Sequence, residues 1–137
     1  MSKSNTLETQ LLTKLFTDQA FTTLGSISLG SNLYIALYRS DPTDANIGLE
    51  ANYTGYARAA VARTSSAFTV SSNQVVNTNA VIFNQCTAGT NTITHFAVFS
   101  ALTVGTMLYH GAVTTPLSVV TDVIPAFQAG TLTITED

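Results

Sequence analysis

Leu7, Leu11 and Leu15, joined by Leu12 and Phe16, recur at three- and four-residue spacing and fall on one stripe of an α-helix. Asn5, with Glu8 three residues later, reads as an N-terminal cap. The spacing predicts a helix from about Thr6 to Ala20 or Thr22, ended by the Gly and Ser cluster between Gly25 and Asn32. A lone helix of this length is marginal in water, so its leucines must pack on their own domain or on a neighbouring subunit.

From Leu33 the period changes from helical to strand-like. Leu33, Ile35 and Leu37 fall on one face and Tyr34, Ala36 and Tyr38 on the other, which marks a central strand with both faces covered. Ser40-Asp41-Pro42-Thr43-Asp44 ends it, because proline restricts its predecessor and Asp side chains bond nearby amides. A polar loop then continues to about Tyr56. Further strands are predicted at Ala57–Arg63, Ala67–Val70, Gln74–Val76, Ala80–Asn84, Ile93–Ser100, Thr106–Val113, Ser118–Ile124 and Gly130–Thr135. Roughly seven to nine short strands with Gly, Pro and Asn turns and no alternating helices predict a mainly β fold, a single antiparallel β-sandwich of jelly-roll-like type. Its expected division is an N-terminal helix or arm over residues 1–32 and a β-sandwich domain over residues 33–137.

Composition sharpens this picture at one point. Only 9% of residues are charged, against about a quarter in a typical soluble domain, and no Lys, Arg, Asp or Glu occurs from Thr64 through Thr121. The stretch is too apolar to be disordered and too often interrupted by polar residues to span a membrane. Threonine is the commonest residue, so hydroxyl and amide side chains supply the polar alternation that charges usually provide. Low charge also removes repulsion between identical copies packed side by side. A net charge of −3 with five basic residues gives no footprint for nucleic acid. Met1 to Gln10 lacks the layout of a secretory signal, which places synthesis in a cytoplasm. Asn52-Tyr53-Thr54 then matches the glycosylation pattern by chance.

Candidate chemistry is sparse. Cys86 is the single cysteine and reads as a small buried hydrophobe. A symmetric hairpin turning at Leu102 to Gly105 would set His95 across from His110, but neither strand carries a carboxylate or cysteine to complete a metal site. Interface or core histidines with backbone partners, or a pH-sensitive contact, fit them better. Asp41, Asp44 and Glu50 share a loop without the spacing of a calcium loop, and read as turn formers paired with Arg39, Arg58 or Arg63. No Gly-x-Ser-x-Gly elbow occurs, so no catalytic, cofactor-binding or metal-binding residue is assigned and no cofactor is expected.

Leu33-Tyr34-Ile35-Ala36-Leu37-Tyr38-Arg39-Ser40-Asp41-Pro42-Thr43-Asp44-Ala45, followed by Gly55-Tyr56-Ala57-Arg58-Ala59-Ala60-Val61, resembles a family of small virion structural proteins of tailed bacteriophages. Thr94-His95-Phe96-Ala97-Val98-Phe99, Leu108-Tyr109-His110-Gly111-Ala112-Val113 and Phe127-Gln128-Ala129-Gly130-Thr131-Leu132-Thr133-Ile134 are similar to its C-terminal half. The chain departs from it at Asn52-Tyr53-Thr54, where relatives tend to carry a glycine-rich run. The family is variously labelled head-decoration, minor-capsid or tail-fibre protein, and the resemblance implies virion assembly without catalytic residues. The leading expectation is a non-enzymatic capsid decoration (cement) protein that binds the major capsid protein as a homo-oligomer, a trimer being favoured. Its partners would include neither nucleic acid nor membrane. The alternative is a tail-fibre, baseplate or receptor-binding tail protein, with Tyr53 and Tyr56 as candidate glycan contacts.

Overall fold

The computed structural model describes residues 5–17 and 30–136, with the side chains of residues 5–8 and 10 outside the description. The fold is mainly β, with one short helix and antiparallel sheets. Helix α1 spans Asn5–Thr17, and nine strands follow: β1 Asn32–Tyr38, β2 Ala59–Ala62, β3 Phe68–Ser71, β4 Gln74–Asn77, β5 Val81–Ile82, β6 Asn91–Phe99, β7 Met107–Val119, β8 Ala126–Phe127 and β9 Thr133–Thr135. They form a four-stranded sheet in the order β2-β1-β6-β7, a three-stranded sheet β3-β4-β9 and a two-stranded pair β5-β8. The chain divides into two compact units, one of residues 1–33, 61–81 and 127–137, the other of residues 34–60 and 82–126.

In the first unit α1 packs against β3 and β4. Its buried face is Leu12 and Phe16, both fully inaccessible, while Leu11 and Leu15 are half-buried. Of the predicted stripe, Leu12 and Phe16 therefore form the docked face, with Leu11 and Leu15 at its margin. Its ring meets Phe68 edge-on with centroids 4.7 Å apart. The side chain of Leu7 and the expected helix extension to Ala20 or Thr22 lie outside the described residues, as does the Gly25 to Leu29 part of the connector. Arg63, 2% exposed, ties the helix down: Nε donates to Leu15 O (2.5 Å), Nη2 to Lys14 O (2.7 Å) and Nη1 to Gly30 O (2.6 Å). Buried Asn77 similarly joins β4 to the final segment, donating to Gln128 O and accepting from Leu132 N–H.

In the second unit β1 is the inner strand its sequence predicts. It pairs antiparallel with β6, Tyr34 opposite Phe99 and Tyr38 opposite His95. One sheet face carries a cluster of Ala36, Tyr38, Ala97 and Phe99, with Tyr34 and Met107 packed on it. The other carries buried Ile35, Leu37, Phe96 and Val98.

The strands predicted at Thr106–Val113 and Ser118–Ile124 are one strand, β7, and Val120 to Pro125 forms a turn and an extended return. The unbroken run is compatible with Pro116 because β7 is an edge strand and the proline lies in an exposed irregularity. Ala112 faces His95 and Leu117 faces Ile93, so four residues of β7 oppose one of β6. The histidine pairing is overturned: the strands reverse about Thr103 and Val104, which sets His110 opposite Ala97 and His95 opposite Ala112, and Leu108 is an extra residue between the Phe99–Met107 and Val98–Tyr109 pairs.

Candidate functional site

Every large hydrophobic residue exposed among the described residues, Ile47, Leu49, Ile82, Leu102, Val104, Val120 and Ile124, belongs to the second unit. That unit also holds a hollow of about 410 Å³ lined by Glu50–Ala51, Tyr56–Arg58 and Leu102–Val104. Its wall is built around one guanidinium. Arg58 reaches the two Glu50 oxygens through Nε (2.8 Å) and Nη2 (2.9 Å), a bidentate pair, and its Nη1 donates to Ala101 O (3.0 Å) and Val104 O (2.8 Å). Its carbon centre stands 3.6 Å from the centroid of the Phe99 ring, a cation–π contact with a fully buried phenyl. Burial works against the charge of Arg58, but the hydrogen bond and charge of Glu50 outweigh it and raise the guanidinium above its ordinary value.

Tyr56 completes this wall. Its hydroxyl donates to Glu50 Oε1 (2.8 Å) and accepts from Leu37 N–H (3.1 Å). Burial, then the charge of Glu50, pushes its pKa well above the ordinary tyrosine range. Tyr53, 3% exposed, donates to Asn84 O, and burial followed by Cys86 pushes it up to about 12. Tyr53 is thus buried, whereas Tyr56 is partly exposed and lines the hollow.

An alkaline titration reads these two groups. In the unfolded chain both ionise near 10, whereas in the fold both keep their protons above that. The stability this supplies is fully present below about pH 10. It falls above that, by up to roughly 1.4 kcal/mol per pH unit for each group. Phenolate absorbance at 295 nm should therefore rise for Tyr56 only together with unfolding, and Tyr56→Phe should remove nothing from the titration of the folded chain. Loss of one equivalent near pH 10 with the fold intact would contradict this.

The other sequence candidates fall elsewhere. His110 stands between two carboxylates of the Asp41–Asn46 loop, its Nε2 3.0 Å from Asp44 Oδ1 and its Nδ1 3.6 Å from Asp41 Oδ1, and so pins that loop to β7. Asp41 also accepts from Thr43 N–H, the local turn its sequence predicts. His95 contacts the Thr94 hydroxyl. Of the three arginines considered for acidic partners, Arg58 takes Glu50, Arg39 donates to the Glu50 carbonyl, and Arg63 donates to helix carbonyls. Cys86 is fully buried, its thiol directed at Ala88 O and Gly89 O. Asn52 helps buried Asn91 bridge two segments, Asn91 Oδ1 accepting from the Asn52 and Tyr53 amides. Among the described residues no group of three or more His, Cys, Asp or Glu could hold a metal ion, and no helix is long and apolar enough to cross a membrane.

Sequence reasoning placed the turn of the β6–β7 hairpin at Leu102 to Gly105 but missed its backbone conformation. Ser100 and Thr106 close it by a backbone bond, and two residues inside it, Val104 (φ +58°) and Gly105 (φ +69°), adopt the left-handed conformation. A side chain on Gly105 would meet Ala101 N at 2.9 Å, so glycine is required there. Gly105 was the available signal, but it could not tell that β-branched Val104, 85% exposed, would share the strained conformation.

No curated protein matches the chain. A family model described as podophage GP4 fiber I protein gp80 matches residues 2–135. The chain belongs to this family of phage virion structural proteins.

Proposed function

We propose that the chain is a non-enzymatic structural component of a phage tail fibre, joined to other tail or baseplate proteins within the virion. The observation that carries this reading is the fibre description of the family, whose model matches residues 2–135 and so includes both compact units. It favours the tail position over the capsid-decoration role that the charge-poor sequence first brings forward. The strongest polar cluster, Glu50 with Arg58 and Tyr56, supports a structural role, because each group is engaged by its neighbours in holding two loops together. A jelly-roll-like layering of the sheets and assembly as a homo-oligomer belong to the same proposal, supported by short antiparallel strands and by the uncharged stretch from Thr64 through Thr121.

Immunogold labelling of intact particles, with quantitative mass spectrometry of the virion, tests the position. Label at the tail and a low copy number are expected. Label spread over the head, in numbers approaching those of the major capsid protein, would overturn the fibre reading in favour of decoration.

A further inference from the structure

We infer that His110 is a pH-dependent latch for the Asp41–Asn46 loop, holding it on β7 while the imidazole is protonated and letting it lift once the ring loses its charge. Both ring nitrogens face acids: Nε2 lies 3.0 Å from Asp44 Oδ1 and Nδ1 3.6 Å from Asp41 Oδ1. Only the imidazolium carries an N–H at each nitrogen. A neutral ring donates from one nitrogen and turns the lone pair of the other towards a carboxylate. Loss of the proton thus removes one favourable contact and puts a repulsive one in its place.

The surroundings make this ring the group that decides. Strands β1, β2, β6 and β7 carry no Lys, Arg, Asp or Glu. Facing His110 are the two loop carboxylates, Ala97 directly opposite on β6, and His95 diagonal to it, beside Tyr38 of β1. His95 meets the Thr94 hydroxyl and no acid, so its protonation gives the loop no new contact. Imidazole is the side chain that changes charge between about pH 5 and pH 8, while carboxylates keep theirs. The latch is closed at the acid end of that range and opens as the pH rises through it.

The loop is braced to move as one piece. Arg39 N–H to Leu49 O closes its base, and inside it Asn46 N–H bonds Thr43 O and Ile47 N–H bonds Pro42 O. Beyond His110, the Tyr38 hydroxyl anchors it by donating to Asn46 Oδ1 at 2.6 Å. Burial raises that phenol above its ordinary value, so this anchor keeps its proton while the imidazole titrates. The loop therefore swings about the Tyr38–Asn46 bond and does not unravel, and the latch sets where Ile47, 75% exposed, stands relative to β7. Asp41 and Asp44 are well exposed. Protonation then multiplies the ratio of latched to lifted loop by about 1.5- to 5-fold for each carboxylate, a graded response. The inference concerns the chain in solution and does not rest on the fibre reading, so the two fail separately.

Nuclear magnetic resonance of the full chain at about pH 5.5 and about pH 8 tests it. Two readouts avoid exchanging protons: the Overhauser contact between the His110 ring and the Asp44 methylene, and the order parameter of the Ala45 methyl. In wild type both should be high at the lower pH and fall at the higher one. The double variant Asp41→Asn with Asp44→Asn keeps the local acceptors but not the charges, and should lose the pH response. His95→Gln should keep it. Added salt should weaken the contact at the lower pH, since the pair is exposed. Readouts unchanged between the two pH values, a double variant that still responds, or a response abolished by His95→Gln would each overturn the inference.

Discussion

Replacing Glu50 by alanine is expected to lower the unfolding free energy by about 3 kcal/mol, because it strands a guanidinium that the fold has withdrawn from water. The Arg58 side chain is 8% exposed and its bidentate partner 29%, so removing the carboxylate leaves the positive charge facing the Phe99 ring and two carbonyls with no counter-ion in the Glu50 position. The Tyr56 hydroxyl loses its acceptor in the same step. Partial exposure of Glu50 lets water replace some of the interaction, which puts the figure at the lower end of the range for buried pairs. The double variant Glu50→Ala with Arg58→Met should recover a large part of the loss, since a buried apolar side chain needs no counter-charge. Urea unfolding measures both, as a shift in midpoint at constant slope. A single-variant loss below about 0.5 kcal/mol, or a double variant as unstable as the sum of its parts, would refute the assigned role.

How far this cluster could be read in advance follows from the range over which each residue acts. Glu50 and Arg58 are eight positions apart in a turn-rich stretch, where loop acids read as partners for Arg39, Arg58 or Arg63 without the choice among them being legible. That the same arginine also holds Ala101 and Val104 depends on the register of β6 and β7, which the sequence does not carry. The alternation of Leu33–Tyr38 gave β1 almost to the residue because both faces of an inner strand must be apolar. The edge strand β7 was split in prediction because Pro116 reads as a breaker, while an edge at a bulge accommodates it. The histidine pairing failed on the centre of the turn: facing histidines need a reversal about Leu102 and Thr103, whereas the strands reverse about Thr103 and Val104, and a shift that small changes every cross-strand partner. The helix was legible as a helix, but its docking face turned on Phe16 meeting Phe68, a contact 52 residues away in sequence. Short β8 has too few residues for a period to show.

Replacing Arg63 by alanine is expected to cost about 3 kcal/mol, and to act first on the helix. Arg63 supplies donors to two carbonyls of α1, at Lys14 and Leu15, and a third to Gly30 O, from a position 2% exposed. A helix of 13 residues does not hold in water by its own propensity, so α1 depends on Phe16 packing at Phe68 and on this clamp. Each hydrogen bond from a charged donor contributes about 1.5–3 kcal/mol, and the three share one side chain, so their losses do not add in full. Arg63→Lys should restore less than half, because one ammonium cannot span the three carbonyls as a planar fork does. In thermal melts of Arg63→Ala, ellipticity at 222 nm should fall before the β signal. Stability within 0.5 kcal/mol of wild type, or helix and sheet signals lost together at an unchanged midpoint, would show that α1 is held by its apolar face alone.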